Sequence, residues 1–201
     1  GGGEMKPGEA LQIVALAARA TLEQGGVVAF ATESSYGLGV DPRNARGVEA
    51  IRRIKGRQRG KPLPVVGASV EQLCELPIDP QAPELAWAAE RWPAALSVLL
   101  PLTAPLAASA GESRVAARVP DRPSLRELLT ALGTPLTATS ANATGSPPLL
   151  DPREVATWLE ASGELYCLAD EGSTPGGPPS TLVEIRNGTP RVLRAGRVRV
   201  D

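Results

Sequence analysis

The sequence predicts an α/β fold built on a twisted sheet of mixed direction, with helices packed around it. Segments at helical spacing are interspersed with short apolar runs of strand length, and glycine or proline punctuates most boundaries. Their order does not follow strict βαβ alternation, so a purely parallel sheet is not expected. The 201 residues, 42% of them hydrophobic, can bury a substantial core. Only 3% are aromatic, so Leu, Val, Ile and Ala must fill it. There is no internal repeat and no linker long enough to divide the chain. A single domain over 1–201 is expected, with residues 1–8 set apart from it.

Leu11, Val14, Ala15, Ala18 and Leu22 keep helical spacing, and Gly25-Gly26 stops that helix. Val27-Val28-Ala29-Phe30-Ala31 follows, apolar throughout, as in a strand buried on both faces. The polar stretch from Thr32 to Gly37 reads as a turn. A helix is expected over 45–54, a buried strand over 63–66, a helix over 70–76 and another ending near Trp92. Strands over 95–100 and 115–119, a helix over 124–132 and a strand over 136–139 come next. A Gly/Pro-rich loop runs through Pro148 to a helix over 152–161 and a strand over 165–169. After a second loop, 172–179, strands over 181–185, 191–194 and 198–200 close the chain.

Histidine is absent. That removes Ser-His-Asp and Cys-His catalysis, His-ligated zinc and imidazole acid–base chemistry. The chemistry must rest on Lys, Arg, carboxylates, hydroxyls and backbone. The net charge of −1 gives no global basic mark for nucleic acid, so any RNA contact must use a local basic face. Cys74 and Cys167 fit no metal or redox spacing, and with no signal-peptide pattern at the start they read as free thiols of a cytoplasmic protein. The nearly uncharged stretch 93–110 is interrupted by Pro93, Pro101 and Pro105 and is short for a membrane span. A buried strand ending at a proline is the expected meaning, and no membrane partner is expected.

Two nucleotide motifs nearly form and fail. Gly56-Arg57-Gln58-Arg59-Gly60-Lys61 has three residues between its glycines where a P-loop needs four, and Pro62 replaces the magnesium-binding hydroxyl. Gly37-Leu38-Gly39 lacks the third glycine of a dinucleotide fingerprint. Four other segments carry chemistry. Thr32-Glu33-Ser34-Ser35-Tyr36-Gly37-Leu38-Gly39 follows a buried strand, where loops collect ligand-binding hydroxyls. Lys55-Gly56-Arg57-Gln58-Arg59-Gly60-Lys61 holds four cations in seven residues and suits a polyphosphate. Thr137-Ala138-Thr139-Ser140-Ala141-Asn142 offers hydroxyl and amide groups at a strand end. The tail offers Ser180-Thr181 and Arg194-Ala195-Gly196. Each has an ordinary meaning when taken alone: a turn, a solvated helix end, a cap, a surface arginine.

Taken together, the segments resemble the YrdC/TsaC family of threonylcarbamoyl-AMP synthases. The family's KxR and SxN elements are Lys55-Gly56-Arg57 and Ser140-Ala141-Asn142, and its strand-turn element is 31–39. Val115-Ala116-Ala117-Arg118-Val119-Pro120, Pro179-Ser180-Thr181 and Leu193-Arg194-Ala195-Gly196 match in order and spacing. Ala31 replaces the family's proline, Ala94-Ala95 replaces its Gly-Pro, and the histidine some members place near Val66 is missing. The chain stops soon after Gly196, as expected of the single-domain form.

The resemblance implies a YrdC-like fold with a concave basic cleft. It implies an enzyme converting L-threonine, bicarbonate or CO2 and ATP, as a substrate with Mg2+, into threonylcarbamoyl-AMP and pyrophosphate for tRNA modification. It assigns Lys55, Arg57, Ser140 and Asn142 to catalysis. Lys55, Arg57, Arg59, Ser113, Asn142 and Arg194 are assigned to ATP, and Thr32, Arg118, Ser140 and Ser180 to threonine. No metal-ligand set and no tightly bound cofactor are implied. Downstream threonylcarbamoyl-transfer proteins would consume the product, and direct contact with tRNA stays open. Two rivals remain: a non-catalytic double-stranded RNA or tRNA-binding module, and a carbamoyl-transfer domain of the same fold. The enzyme reading requires Lys55 and Asn142 to converge in space.

Overall fold

The computed structural model describes residues 3, 4, 6, 8–56 and 61–201. Helix α1 (Glu9–Glu23) leads into β1 (Val27–Ala31), whose five residues are all buried. Strand alternation divides them: Val27, Ala29 and Ala31 enter one apolar core, Val28 and Phe30 a second. Burial on both faces accounts for the uninterrupted apolar run. The second core is closed by Ala15 and Ala18 of α1 and by Leu125, Leu128, Leu129 and Leu132 of a later helix.

The expected turn after β1 shrinks to four residues, and Tyr36–Gly39 forms β2, antiparallel to β1. Its two glycines hide a strand that must have no side chains there. A Cβ on Gly39 would lie 2.4 Å from the Thr137 carbonyl, and one on Gly37 would lie 2.8 Å from the Phe30 ring. Helix α2 (Ala45–Lys55) starts on the Asn44 side chain, which accepts from the Arg46 and Gly47 amides. It ends at Gly56, left-handed at φ 67°, so Lys55 occupies its final turn.

The following strand, β3 (Val65–Val66), is shorter than expected because Pro62 and Pro64 have no amide to donate. Short helices α3 (Val70–Leu73) and α4 (Pro83–Ala89) precede β4 (Leu96–Pro101), a 3-10 turn (Ala107–Ser109) and β5 (Arg114–Arg118). Helix α5 (Pro123–Leu132) completes the second core. The single strand expected over 136–139 is two: β6 (Leu136–Thr137) pairs with β3, and β7 (Thr139–Ser140) pairs with β2. The chain changes sheets at Ala138. Helix α6 (Pro152–Ser162) and β8 (Tyr166–Leu168) follow, then the hairpin of β9 (Thr181–Arg186) and β10 (Thr189–Arg194).

Two mixed sheets result, not one. The first has order β7-β2-β1-β8, with β1 and β8 parallel, and the second β10-β9-β4-β5-β3-β6, with β4/β9 and β3/β5 parallel. Residues 198–200 do not form the expected strand. Val198 bonds instead to the Thr181 side chain, whose Oγ1 donates to the Val198 carbonyl at 2.6 Å and accepts from its amide at 3.0 Å. Among the described residues no helix is long and apolar enough to cross a membrane.

Candidate active site

The two sheets enclose a cavity of about 810 Å³. Its floor is one face of the six-stranded sheet: Ser97 and Leu99 of β4, Arg114, Ala116 and Arg118 of β5, and Leu182 of β9. Alternate residues of each strand line it, as period-two geometry requires. The β1–β2 turn supplies Thr32, Ser34 and Ser35, β7 supplies Thr139 and Ser140, and the 172–180 loop crosses the mouth with Gly176, Gly177 and Ser180. That loop is strapped down. The Gly176 amide donates to the Ser34 carbonyl at 2.8 Å, the Tyr36 hydroxyl to the Gly172 carbonyl at 2.7 Å, and Arg197 Nη1 to the Gly176 carbonyl at 2.7 Å. Burial pushes the Tyr36 phenol above its ordinary pKa, so it stays a donor at neutral pH.

Lys55 and Asn142 converge. Lys55, a residue only 4% exposed, donates from Nζ to Asn142 Oδ1 at 3.0 Å and to the Ser140 carbonyl. Ser140 Oγ donates to the same Asn142 oxygen at 2.6 Å, and the Asn142 amide donates to the Ser146 carbonyl at 2.6 Å. The Thr144 amide adds a bond of 2.9 Å to the Lys55 carbonyl. The end of α2 and the segment after β7 are thus one polar knot. Of its members Ser140 lines the main cavity, while Asn142 faces a second, more open hollow of about 660 Å³ beside α6. Arg57 and Arg59 lie outside the described residues.

Besides Arg114, which bonds to Glu184, the cavity is lined by two guanidiniums held in the same way. Arg118 gives its Nη2 and Nε hydrogens to Glu33, at 3.1 and 3.4 Å. Arg194 gives its Nη2 and Nε hydrogens to the Ser180 carbonyl, at 2.7 and 3.2 Å, and Nη2 also reaches Ser180 Oγ at 3.0 Å. An arginine has five N–H donors. Both side edges are spent internally, and neither Nη1 has a hydrogen-bond partner among the described residues. Arg118 can still offer an end-on fork to an anion, while Arg194, with both Nη2 hydrogens given to Ser180, keeps its Nη1 hydrogens for one. Loss of solvation and the nearby Arg118 charge lower the Arg194 pKa, the mark of two like charges facing one space. Burial raises the Glu33 pKa, but Arg118's charge and hydrogen bonds, with the Glu33 and Asp121 amides, outweigh it and hold the carboxyl below its ordinary value.

The other expected residues divide. Thr32 and Ser180 line the cavity, with Thr32 Oγ1 also donating to the Ser35 carbonyl at 2.6 Å to shape the turn. Ser113 is exposed between Glu112 and Arg114, which both line the cavity while Ser113 does not. Sequence reading missed Glu33 as the partner of Arg118, and Ser97. The only local signal for Ser97 is a hydroxyl on the alternate face of an apolar strand, 3% exposed.

The comparisons with known proteins agree with this architecture. A family model for Sua5, YciO and YrdC proteins, described as "Telomere recombination", matches residues 20–196. The threonylcarbamoyl-AMP synthase of Bacillus subtilis is 37% identical over 187 residues, covering 90% of this chain and 53% of that protein. P. abyssi Sua5 complexed with L-threonine superposes at a TM-score of 0.81 and 31% identity, over 92% of this chain and 54% of that one. E. coli YciO gives 0.75 and 26%, over 92% and 90% of the two chains. The chain spans about half the length of the first two relatives. A match running through nearly every strand of both sheets, cavity floor included, means that the chain belongs to the Sua5/YciO/YrdC family.

Proposed function

We propose that the chain is a threonylcarbamoyl-AMP synthase. The threonine amine adds to bicarbonate or CO2 to give a carbamate, with water lost from bicarbonate. A carbamate oxygen then attacks the α-phosphorus of ATP, the bond to the bridging oxygen breaks, and pyrophosphate leaves. Two anions must be held together while charge grows on the phosphates, which is work for positioned cations and not for a covalent side chain.

The observation that carries the reading is the convergence of Lys55, Ser140 and Asn142 in one polar knot, whose Ser140 lines the cavity that Arg118 and Arg194 also line. Lys55 and Asn142 would meet the triphosphate, and Arg57 and Arg59 would join them on its phosphates. Ser140 would stand where amino acid and nucleotide meet, Arg194 on the nucleotide side. The Arg118 fork would take the threonine carboxylate, with Thr32 and Ser180 around it. Magnesium would arrive on ATP. The product would pass to proteins that transfer threonylcarbamoyl to a tRNA adenosine, in the cytoplasm.

The test is pyrophosphate release from ATP, which should require both L-threonine and bicarbonate. Lys55→Ala should lower it about 100-fold, the loss expected of one charge-stabilising donor, with circular dichroism unchanged. Turnover independent of threonine, or double-stranded RNA binding without turnover, would reject the synthase in favour of an RNA-binding module.

A further inference from the structure

Ser97 has no part in the roles assigned above, yet its side chain is buried in the cavity floor. Its Oγ lies 2.9 Å from Ser180 Oγ, and Ser180 Oγ already accepts from Arg194 Nη2 at 3.0 Å. Ser97 Oγ has no other hydrogen-bond partner among the described residues.

Hydrogen counting then decides what the pair can do. Each hydroxyl has one hydrogen and two lone pairs. One hydrogen is consumed between the two oxygens, whichever donates. The other has no acceptor among the described residues. If Ser97 donates, Ser180 holds the spare hydrogen; if Ser180 donates, Ser97 holds it. In both cases one hydroxyl hydrogen is left for whatever fills the cavity. Arg194 fixes the arrangement, because its Nη2 can only donate, so the pair cannot turn both lone-pair sides inward.

The surroundings narrow the ligand group. Leu99, Ala116 and Leu182 form an apolar wall on the same sheet face. Register sets Leu99 opposite Ala116 and Ser97 opposite Leu182, so hydroxyl and hydrocarbon stand side by side. Arg118 opens into the same space with an unspent fork. A carboxylate fork, one hydroxyl hydrogen and an apolar wall together fit an amino acid whose β-carbon carries both a hydroxyl and a methyl.

Building on the proposed function, we propose that Ser97 is a specificity-determining residue: with Ser180 it binds the side-chain hydroxyl of L-threonine, while Leu99, Ala116 and Leu182 receive its methyl. A site that hydrogen-bonds a substrate hydroxyl rejects an isostere lacking it, because its own polar groups are then left unpaired. L-Valine, isosteric with threonine, should therefore be a poor substrate, and L-serine, lacking the methyl, an intermediate one.

The test compares pyrophosphate release by the parent chain and Ser97→Ala with L-threonine, L-serine and L-valine, alongside thermal melting. In the variant the KM for threonine should rise about tenfold, as for one lost neutral hydrogen bond. Its preference for threonine over valine should fall by about the same factor, with the KM for ATP within about twofold. The double variant with Ser180→Ala should lose more than either single change, since Ser180 alone still has one hydrogen to give. An unchanged threonine-to-valine ratio overturns the assignment, and so does a KM for ATP that rises as far as that for threonine. A well-folded parent chain that releases no pyrophosphate with threonine, serine or valine overturns the synthase reading and this assignment with it.

Discussion

The two ends of the cavity floor hold an arginine each, and they hold it at different electrostatic cost. At the β5 end Arg118 meets a carboxylate, and both side chains of that pair are only 9% exposed. At the β9–β10 end Arg194 meets a carbonyl and a hydroxyl, which are neutral. The geometry is alike, with the side edge of each guanidinium pinned. The charge is not. Arg118 and Glu33 together are close to neutral, so Arg118 offers an incoming anion a direction more than a net charge. Arg194 keeps its positive charge against partial dipoles, and the cost appears as a pKa lowered by lost solvation and by Arg118. One end is built for orientation, the other for attraction.

Arg118→Ala should separate the two roles most sharply. It leaves the Glu33 carboxylate buried without its cation, and breaking such a pair costs about 3 kcal/mol. The unfolding midpoint in urea should drop accordingly. With its cation gone, burial dominates at Glu33 and its pKa should move above the ordinary carboxylate range. The KM for threonine should rise about 100-fold, the equivalent of a strong charge-assisted fork. A variant as stable as the parent would show that this pair does not tie the β1–β2 turn to β5.

Arg194→Ala is expected to do less, and to a different substrate. The residue is exposed and its partners are neutral, so stability should stay within about 0.5 kcal/mol, as for most surface changes. The KM for ATP should rise about tenfold at low salt, with a smaller ratio at high ionic strength, because an attraction by charge is screened. Should threonine and not ATP lose affinity, Arg194 serves the amino acid and the division of labour between the two ends is reversed.

Much of this division lay outside what a sequence can disclose, for identifiable reasons. Lys55, Ser140 and Asn142 were singled out by their resemblance to the family's KxR and SxN elements; Lys55 and Ser140 end a helix capped by Gly56 and a short strand, and Asn142 follows two residues on. The buried strand Val27–Ala31 was legible from its unbroken apolar run. Strand β2 was not, since the stretch from Thr32 to Gly37 read as a turn, although Gly37 and Gly39 are strand residues required by the Phe30 ring and the Thr137 carbonyl. The partnership of Glu33 with Arg118 spans 85 residues and leaves no local trace. The change of sheet at Ala138 depends on which strand each half finds, a tertiary outcome that no propensity records.

The smallest expected effect concerns acid. Glu33 has its pKa lowered in the folded chain, so it binds fewer protons there than when unfolded. A group of this kind adds stability above its unfolded pKa and loses it as the pH falls through the folded value. From about pH 5 downwards, through the ordinary carboxylate range and then the lower folded value, the parent should therefore lose stability that Glu33→Gln never had. Urea titrations at stepped pH should give the Gln variant the shallower slope, the two curves drawing together at the acid end. The Gln side chain still accepts from Arg118 Nη2 but offers an amide to Nε, so it should lie below the parent at neutral pH. Equal slopes would mean that Arg118 does not hold Glu33 ionised, and the contrast between a neutralised end and a charged end would have to be given up.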